Sequence, residues 1–129
     1  MEKYFKILPV SIFLTFVCFI ILIADIYGTN TLQGLAPGLP QSDKLGHLMA
    51  FGVLALLTNF ALDFKKIRVL KCTILIGSMA IALFAITEEF SQLFLETRSF
   101  DLVDMLFDFL GISVCSFIPT STKKFKIYS

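Results

Sequence analysis

Four apolar runs dominate this chain, approximately Ile7 to Tyr27, Lys44 to Leu62, Val69 to Phe90 and Leu102 to Pro119. A bilayer's hydrocarbon core is about 30 Å thick and takes roughly 20 helical residues to cross. Backbone N–H and C=O groups find no water there, so a run of this length spans as a helix or not at all. Hydrophobic residues make up 57% of the sequence and the mean hydropathy is +0.85, which leaves little chain for a soluble module. The expectation is one domain over residues 1–129, an all-α membrane protein built as an antiparallel bundle of four transmembrane helices. Any chemistry has to come from helix ends and short connections.

The basic residues orient such a bundle. Lys3 and Lys6 precede the first run, Lys65, Lys66, Arg68 and Lys71 lie between the second and third, and Lys123, Lys124 and Lys126 follow the fourth. Lys44 and Arg98 are the exceptions. The positive-inside rule then puts both termini and the middle connection in the cytoplasm, and the 28–43 and 91–101 connections outside. Acidic residues show the opposite bias, so a net charge of +1 conceals a strongly polarised molecule. The first run resembles a secretory signal at its start, but it is long and ends in Ala24-Asp25-Ile26-Tyr27 without a small-residue cleavage pattern, which reads as a retained anchor. The basic tail over 120–129, with Phe125 and Tyr128 among its lysines, suits an anionic lipid surface and not nucleic acid.

Threaded this way, the ionisable residues in or beside the runs fall at one membrane face: Asp43, Lys44, His47, Glu88, Glu89, Arg98, Asp101, Asp104 and Asp108, with Gln92. A charge at the centre of a spanning helix costs about 2.5 to 3.5 kcal/mol on insertion scales, so this convergence marks the binding site. Helical spacing gives it shape. Asp43 and His47 are four apart, with His47 about 6 Å deeper at about 1.5 Å per residue. Glu88 and Gln92 are also four apart. Asp101, Asp104 and Asp108 follow an i, i+3, i+7 stripe, and three such stripes should face one another, since lipid offers them no partner. Asp101 suits a helix N-cap. Glu88 and Glu89 stand at a helix C-terminus, where the dipole disfavours anions, so Arg98, Lys44 or a divalent metal should compensate. Asp108 should be protonated or directly paired.

The rest of the chain reads as scaffold. Gly46, Gly52, Gly77 and Gly111 allow close helix approach. Cys18, Cys72 and Cys115 have no spacing that suggests a disulfide or a redox motif, and read as packing residues. The 28–41 connection is rich in Gly and Pro, and its Leu32, Leu35 and Leu39 suit the membrane interface.

The site residues also carry a resemblance. Asp43-Lys44-Leu45-Gly46-His47 resembles the D-K-x-x-H motif of the VanZ-like membrane proteins, and Glu89-Phe90-Ser91-Gln92 is similar to their E-x-x-Q. Arg98, Asp104 and Gly111 match an R-x-x-x-x-x-D-x-x-x-N-x-x-G pattern in which Asp108 replaces the family's Asn. Glu96-Thr97 stands where the family often has Pro-Gly. The match covers residues 43–111 in order. It implies a bacterial cytoplasmic-membrane protein of the cell envelope, in a family named for low-level resistance to the glycopeptide teicoplanin.

Three functions fit. The first is a protein that binds a lipid-linked, envelope-precursor or glycopeptide-type ligand through Asp43, Lys44, His47, Glu88, Glu89, Gln92, Arg98, Asp101, Asp104 and Asp108. The second is a metal-dependent enzyme acting on a lipid-linked substrate, with His47, Glu89 and Asp104 as catalytic candidates and His47, Glu89, Asp104 and Asp108 as ligands for a divalent metal. The third is a small proton-coupled transporter, against which the basic halves of the runs lack matching polar residues.

Overall fold

The computed structural model describes residues 1–27, 42–96, 98, 100–120 and 127–128, and not the side chains of 42, 43, 118–120, 127 and 128. Among these residues the chain is mostly helical: α1 is Glu2–Tyr27, α2 is Ser42–Ala61, α3 is Ile76–Ser91 and α4 is Leu102–Thr120. A hairpin of β1 (Lys66–Val69) and β2 (Cys72–Leu75) joins α2 to α3, and a one-turn 3₁₀ helix, Gln92–Phe94, follows α3. The two-residue strand β3 (Ile127–Tyr128) pairs parallel to β1, so that the sheet runs β2-β1-β3. The expectations for Leu32, Leu35 and Leu39 and for the lysines of the tail fall outside the described residues.

Ties at both ends fix the helix directions. Lys6 near the start of α1 donates to Asp63 just beyond α2, and at the other end Arg98 donates to Asp25 at 3.2 Å. Successive helices therefore alternate in direction, while α2 and α4 run the same way and pack most extensively. Glycines set that seam. A Cβ built on Gly111 would collide with the Leu48 carbonyl oxygen, and one on Gly52 would sit 3.0 Å from the Gly111 oxygen and from Cys115 Sγ. Gly77 approaches Asn59 in the same manner. Among the described residues nothing lies within 4 Å of the Gly46 Cβ position, so no described element makes the close approach expected there. The apolar core beside the seam is Phe51, Leu54, Ala55, Ile81, Ala85 and Ile112.

The third apolar run is not one helix. Its first residues form β2 and the hairpin turn, and α3 keeps 16 residues, about 24 Å at ~1.5 Å per residue. The run Val69-Leu70-Lys71-Cys72-Thr73-Ile74-Leu75 contains β-branched residues that pair in register, Val69 with Cys72 and Ile67 with Ile74. Leu70 turns the chain with φ 57°, in the left-handed region where glycine or asparagine is usual. By length and composition α1 and the Lys44–Ala61 stretch of α2 are sufficient to cross a membrane.

Polarity is distributed inside out. Glu89, Gln92, Asp108 and Asn59 are at most 1% exposed, whereas Phe5, Ile12, Phe19, Leu106, Leu110 and Phe117 are all more than half exposed. Cys18 and Cys72 are exposed as well, which corrects their assignment to packing; Cys115 does pack, against the Gly52 position.

Candidate functional site

The polar site forms where three helix ends meet: the start of α2, the end of α3, and the segment leading into α4. Lys44 and His47 project from the first turns of α2. The Lys44 ammonium lies 3.2 Å from Asp101 Oδ2 and 3.3 Å from Asp104 Oδ1. One turn deeper, His47 Nδ1 is 2.8 Å from Asp108 Oδ1, and its Nε2 is 3.9 Å from Asp104 Oδ2. The Phe51 ring, four residues on, stacks on the imidazole with centroids 6.0 Å apart. Asp104 and Asp108 share one face of α4, so two pairings along α2 and α4 hold the same register.

The end of α3 supplies the third wall. Gln92 Nε2 donates to Glu88 Oε1 at 2.9 Å and more weakly to Glu89 Oε2 at 3.4 Å. Glu89 Oε1 accepts the Asp101 backbone N–H at 2.9 Å, fastening the entry of α4 to the end of α3. Arg98, its side chain 5% exposed, donates through Nη1 to Asp25 and brings Nη2 to 3.7 Å from Glu88 Oε1. Glu88 Oε2 is buried and has no hydrogen-bond partner among the described residues. His47, Glu88 and Glu89 each offer an atom within 4.8 Å of the others'.

Asp101 caps α4. Its Oδ1 accepts the Val103 N–H at 2.9 Å, the geometry of an N-cap. That backbone hydrogen bond, with Lys44 beside it, holds the Asp101 carboxyl below its ordinary range.

The three polar stripes therefore do converge. His47, Glu89 and Asp104 stand in one cluster, and Lys44, Glu88, Gln92, Arg98, Asp101 and Asp108 join them. Asp108 is paired, to His47. Of the cations expected to offset the α3 carboxylates, Arg98 reaches Glu88 and Lys44 does not; it serves the α4 aspartates instead. The side chain of Asp43 lies outside the described set. Asp25 was not anticipated in the site, although an acid at the end of a helix that carries no other charge after Lys6 is a signal that could have flagged it.

A second polar layer was also unforeseen. Asn59 Nδ2 donates to Ser78 Oγ at 2.7 Å, Asn59 Oδ1 accepts the Ser78 N–H at 2.9 Å, and Ser78 Oγ is 2.5 Å from Ser116 Oγ. The halves of α2, α3 and α4 far from the acidic site are thus not without polar groups, but these are neutral and mutually satisfied.

Carboxyl groups outnumber bases in the acidic site. Asp25, Glu88, Glu89, Asp101, Asp104 and Asp108 surround the permanent cations Lys44 and Arg98, with His47 the one further base among the described residues. Such a site attracts cations and hydrogen-bond donors.

No family model matches the sequence. No solved structure matches it either. The chain is similar to an uncharacterized protein of the fission yeast Schizosaccharomyces pombe, 36% identical over 83 residues, which are 63% of this chain and 49% of that protein. It spans about half the length of the curated relative it matches. That relative is fungal, which points away from the bacterial cytoplasmic-membrane location expected from the motifs and corrects it.

Proposed function

We propose that the chain is a four-span integral membrane protein whose buried acidic site binds the cationic or hydrogen-bonding headgroup of an amphipathic ligand. The observation that carries this reading is the surplus of buried carboxylates around His47 inside a bundle with an apolar exterior. Large exposed side chains recur along α1 and α4, and a protein in water rarely leaves so much contiguous apolar surface uncovered. Beneath that surface, groups as polar as Glu89 and Asp108 need partners, and the site supplies them with hydrogen bonds but not with full countercharge. Lys44, its side chain 26% exposed, is held by Asp101 and Asp104, and a ligand ammonium is the chemical group able to take its place. The α3 helix is short for a span, and β2 continues the chain beyond its end. The resemblance of residues 43–111 to VanZ-like proteins supports the same assignment, with lipid-linked and glycopeptide-type molecules as the ligand classes.

The test is extraction and mass spectrometry of amphipaths that co-purify with the full chain in nanodiscs. An amine-bearing or glycosylated lipid retained by the wild type and lost from Glu89→Gln supports the reading. Retention of bulk lipid alone, unchanged by that substitution, refutes it.

The His47–Asp108 pair favours a second reading, an enzyme in which the carboxylate orients the imidazole as a general base. It separates from simple binding in one substitution: His47→Gln abolishes turnover while ligand affinity persists.

A further inference from the structure

We infer that His47, Glu88 and Glu89 form a divalent-cation site within the acidic cluster, with Asp104 beside it. The inference rests on the binding role proposed above and specifies what supplies the missing positive charge. His47 is prepared as a ligand. Its Nδ1 is taken by Asp108 Oδ1 at 2.8 Å, which leaves Nε2 as the nitrogen for a metal, 3.9 Å from Asp104 Oδ2, and the stacked Phe51 ring fixes the plane of the imidazole. This carboxylate–histidine arrangement is how proteins orient imidazole toward a metal and raise its basicity.

The oxygen donors follow from the same geometry. Candidate atoms of His47, Glu88 and Glu89 lie within 4.8 Å of one another, and Asp104 Oδ2 is 3.9 Å from Nε2. Ligand atoms around a tetrahedral ion with bonds of about 2.1 Å stand roughly 3.4 Å apart, so side-chain torsions must close the set by on the order of 1 Å. Glu88 provides an observation independent of the clustering. Its Oε2 is buried without a hydrogen-bond partner among the described residues, while Oε1 is engaged by Gln92 and Arg98. A buried carboxylate oxygen without a hydrogen bond, on a residue that stands by an oriented imidazole, is a suitable ligand for a cation. One imidazole nitrogen with carboxylate oxygens suits Zn²⁺ or Mn²⁺.

The experiment uses the chelator-stripped full chain in phosphatidylcholine nanodiscs, titrated with Mn²⁺ alone and read by electron paramagnetic resonance. The expected result is one bound Mn²⁺ per chain with a nitrogen hyperfine coupling from His47. Glu88→Gln and Glu89→Gln should each weaken binding at least tenfold, and Asp108→Asn by 10- to 100-fold through loss of imidazole orientation. Glu96→Gln, at an exposed position of the same connection, should leave it unchanged. The wild-type nitrogen coupling decides the matter even if a variant fails to fold. Mn²⁺ bound without it, or no stoichiometric binding, overturns the site. A chain that retains an amphipath but takes no Mn²⁺ overturns the metal site and leaves the ligand-binding role standing; Mn²⁺ bound at His47 with no amphipath upholds the metal site and removes that role.

Discussion

Replacing single glycines by alanine should give opposite results at Gly111 and Gly46, and the structure sets both signs. At Gly111 the added methyl meets the Leu48 backbone, with the carbonyl carbon at 3.0 Å, the Cα at 3.2 Å and the carbonyl oxygen closer still. Carbon and oxygen atoms settle about 3.5 Å apart, and backbone cannot rotate away as a side chain can, so α2 and α4 must separate by on the order of 1 Å. Overpacking of this kind costs about 1 to 3 kcal/mol, partly offset by alanine's better helix propensity of about 1 kcal/mol. The strain also reaches the site, because Leu48 follows His47 and Gly111 lies one turn from Asp108, whose 2.8 Å contact depends on the seam. At Gly46 nothing lies within 4 Å among the described residues, so the propensity term decides and Gly46→Ala should stabilise by about 0.5 to 1 kcal/mol. Gly52→Ala should fall between them, since one of its two neighbours at 3.0 Å is the movable Cys115 Sγ. Unfolding of the full chain in detergent, followed by circular dichroism, ranks the three. An order other than Gly46, Gly52, Gly111 from most to least stable refutes the helix seam.

Three further outcomes test other parts of the architecture. Asn59→Ala strips the Ser78 N–H of its acceptor in a buried layer and should lower stability by about 1 to 3 kcal/mol; a loss under about 0.5 kcal/mol in the same assay counts against the second polar layer. Arg98→Lys keeps the charge but cannot reach Asp25 and Glu88 together, and should lose roughly 1.5 to 3 kcal/mol, with a double-mutant cycle against Asp25→Asn returning a coupling energy distinguishable from zero. Asp101→Ala removes the α4 cap and should cost about 1 kcal/mol near neutrality. Because the folded Asp101 carboxyl lies below its ordinary value of 3.8, that contribution is complete above about pH 4 and disappears as pH falls through the folded value. A wild-type and Asp101→Ala difference that grows in acid would refute the assignment.

Local spacing carried what the sequence could reveal. Asp104 and Asp108 on α4, and Glu88 on α3 with Gln92 in the 3₁₀ turn that continues it, are neighbours by helical repeat alone, and each pair does share a face. Helix ends at Tyr27 and near residue 61 followed from where the apolar runs stop. The hairpin did not, because a buried strand and a buried helix both present an uninterrupted apolar run, and neither glycine nor asparagine marks the Leu70 turn. The Asp25–Arg98 and Asn59–Ser78 pairs were hidden for a different reason: their partners are 73 and 19 positions apart, and only the packed bundle brings them together.

Those hidden pairs explain how the legible ones are held. The seam between α2 and α4 is pinned by backbone contact at Gly52 and Gly111, and the polar groups lie on either side of it: His47 with Asp108 toward one end, Asn59 with Ser78 and Ser116 toward the other. With both ends tied, α2 cannot slide along α4 by a turn without separating two sets of buried partners at once. Arg98 and the Asp101 N–H then close α3 onto this pair from the side. The buried acids are consequently kept near one another, the arrangement on which the proposed cation site depends.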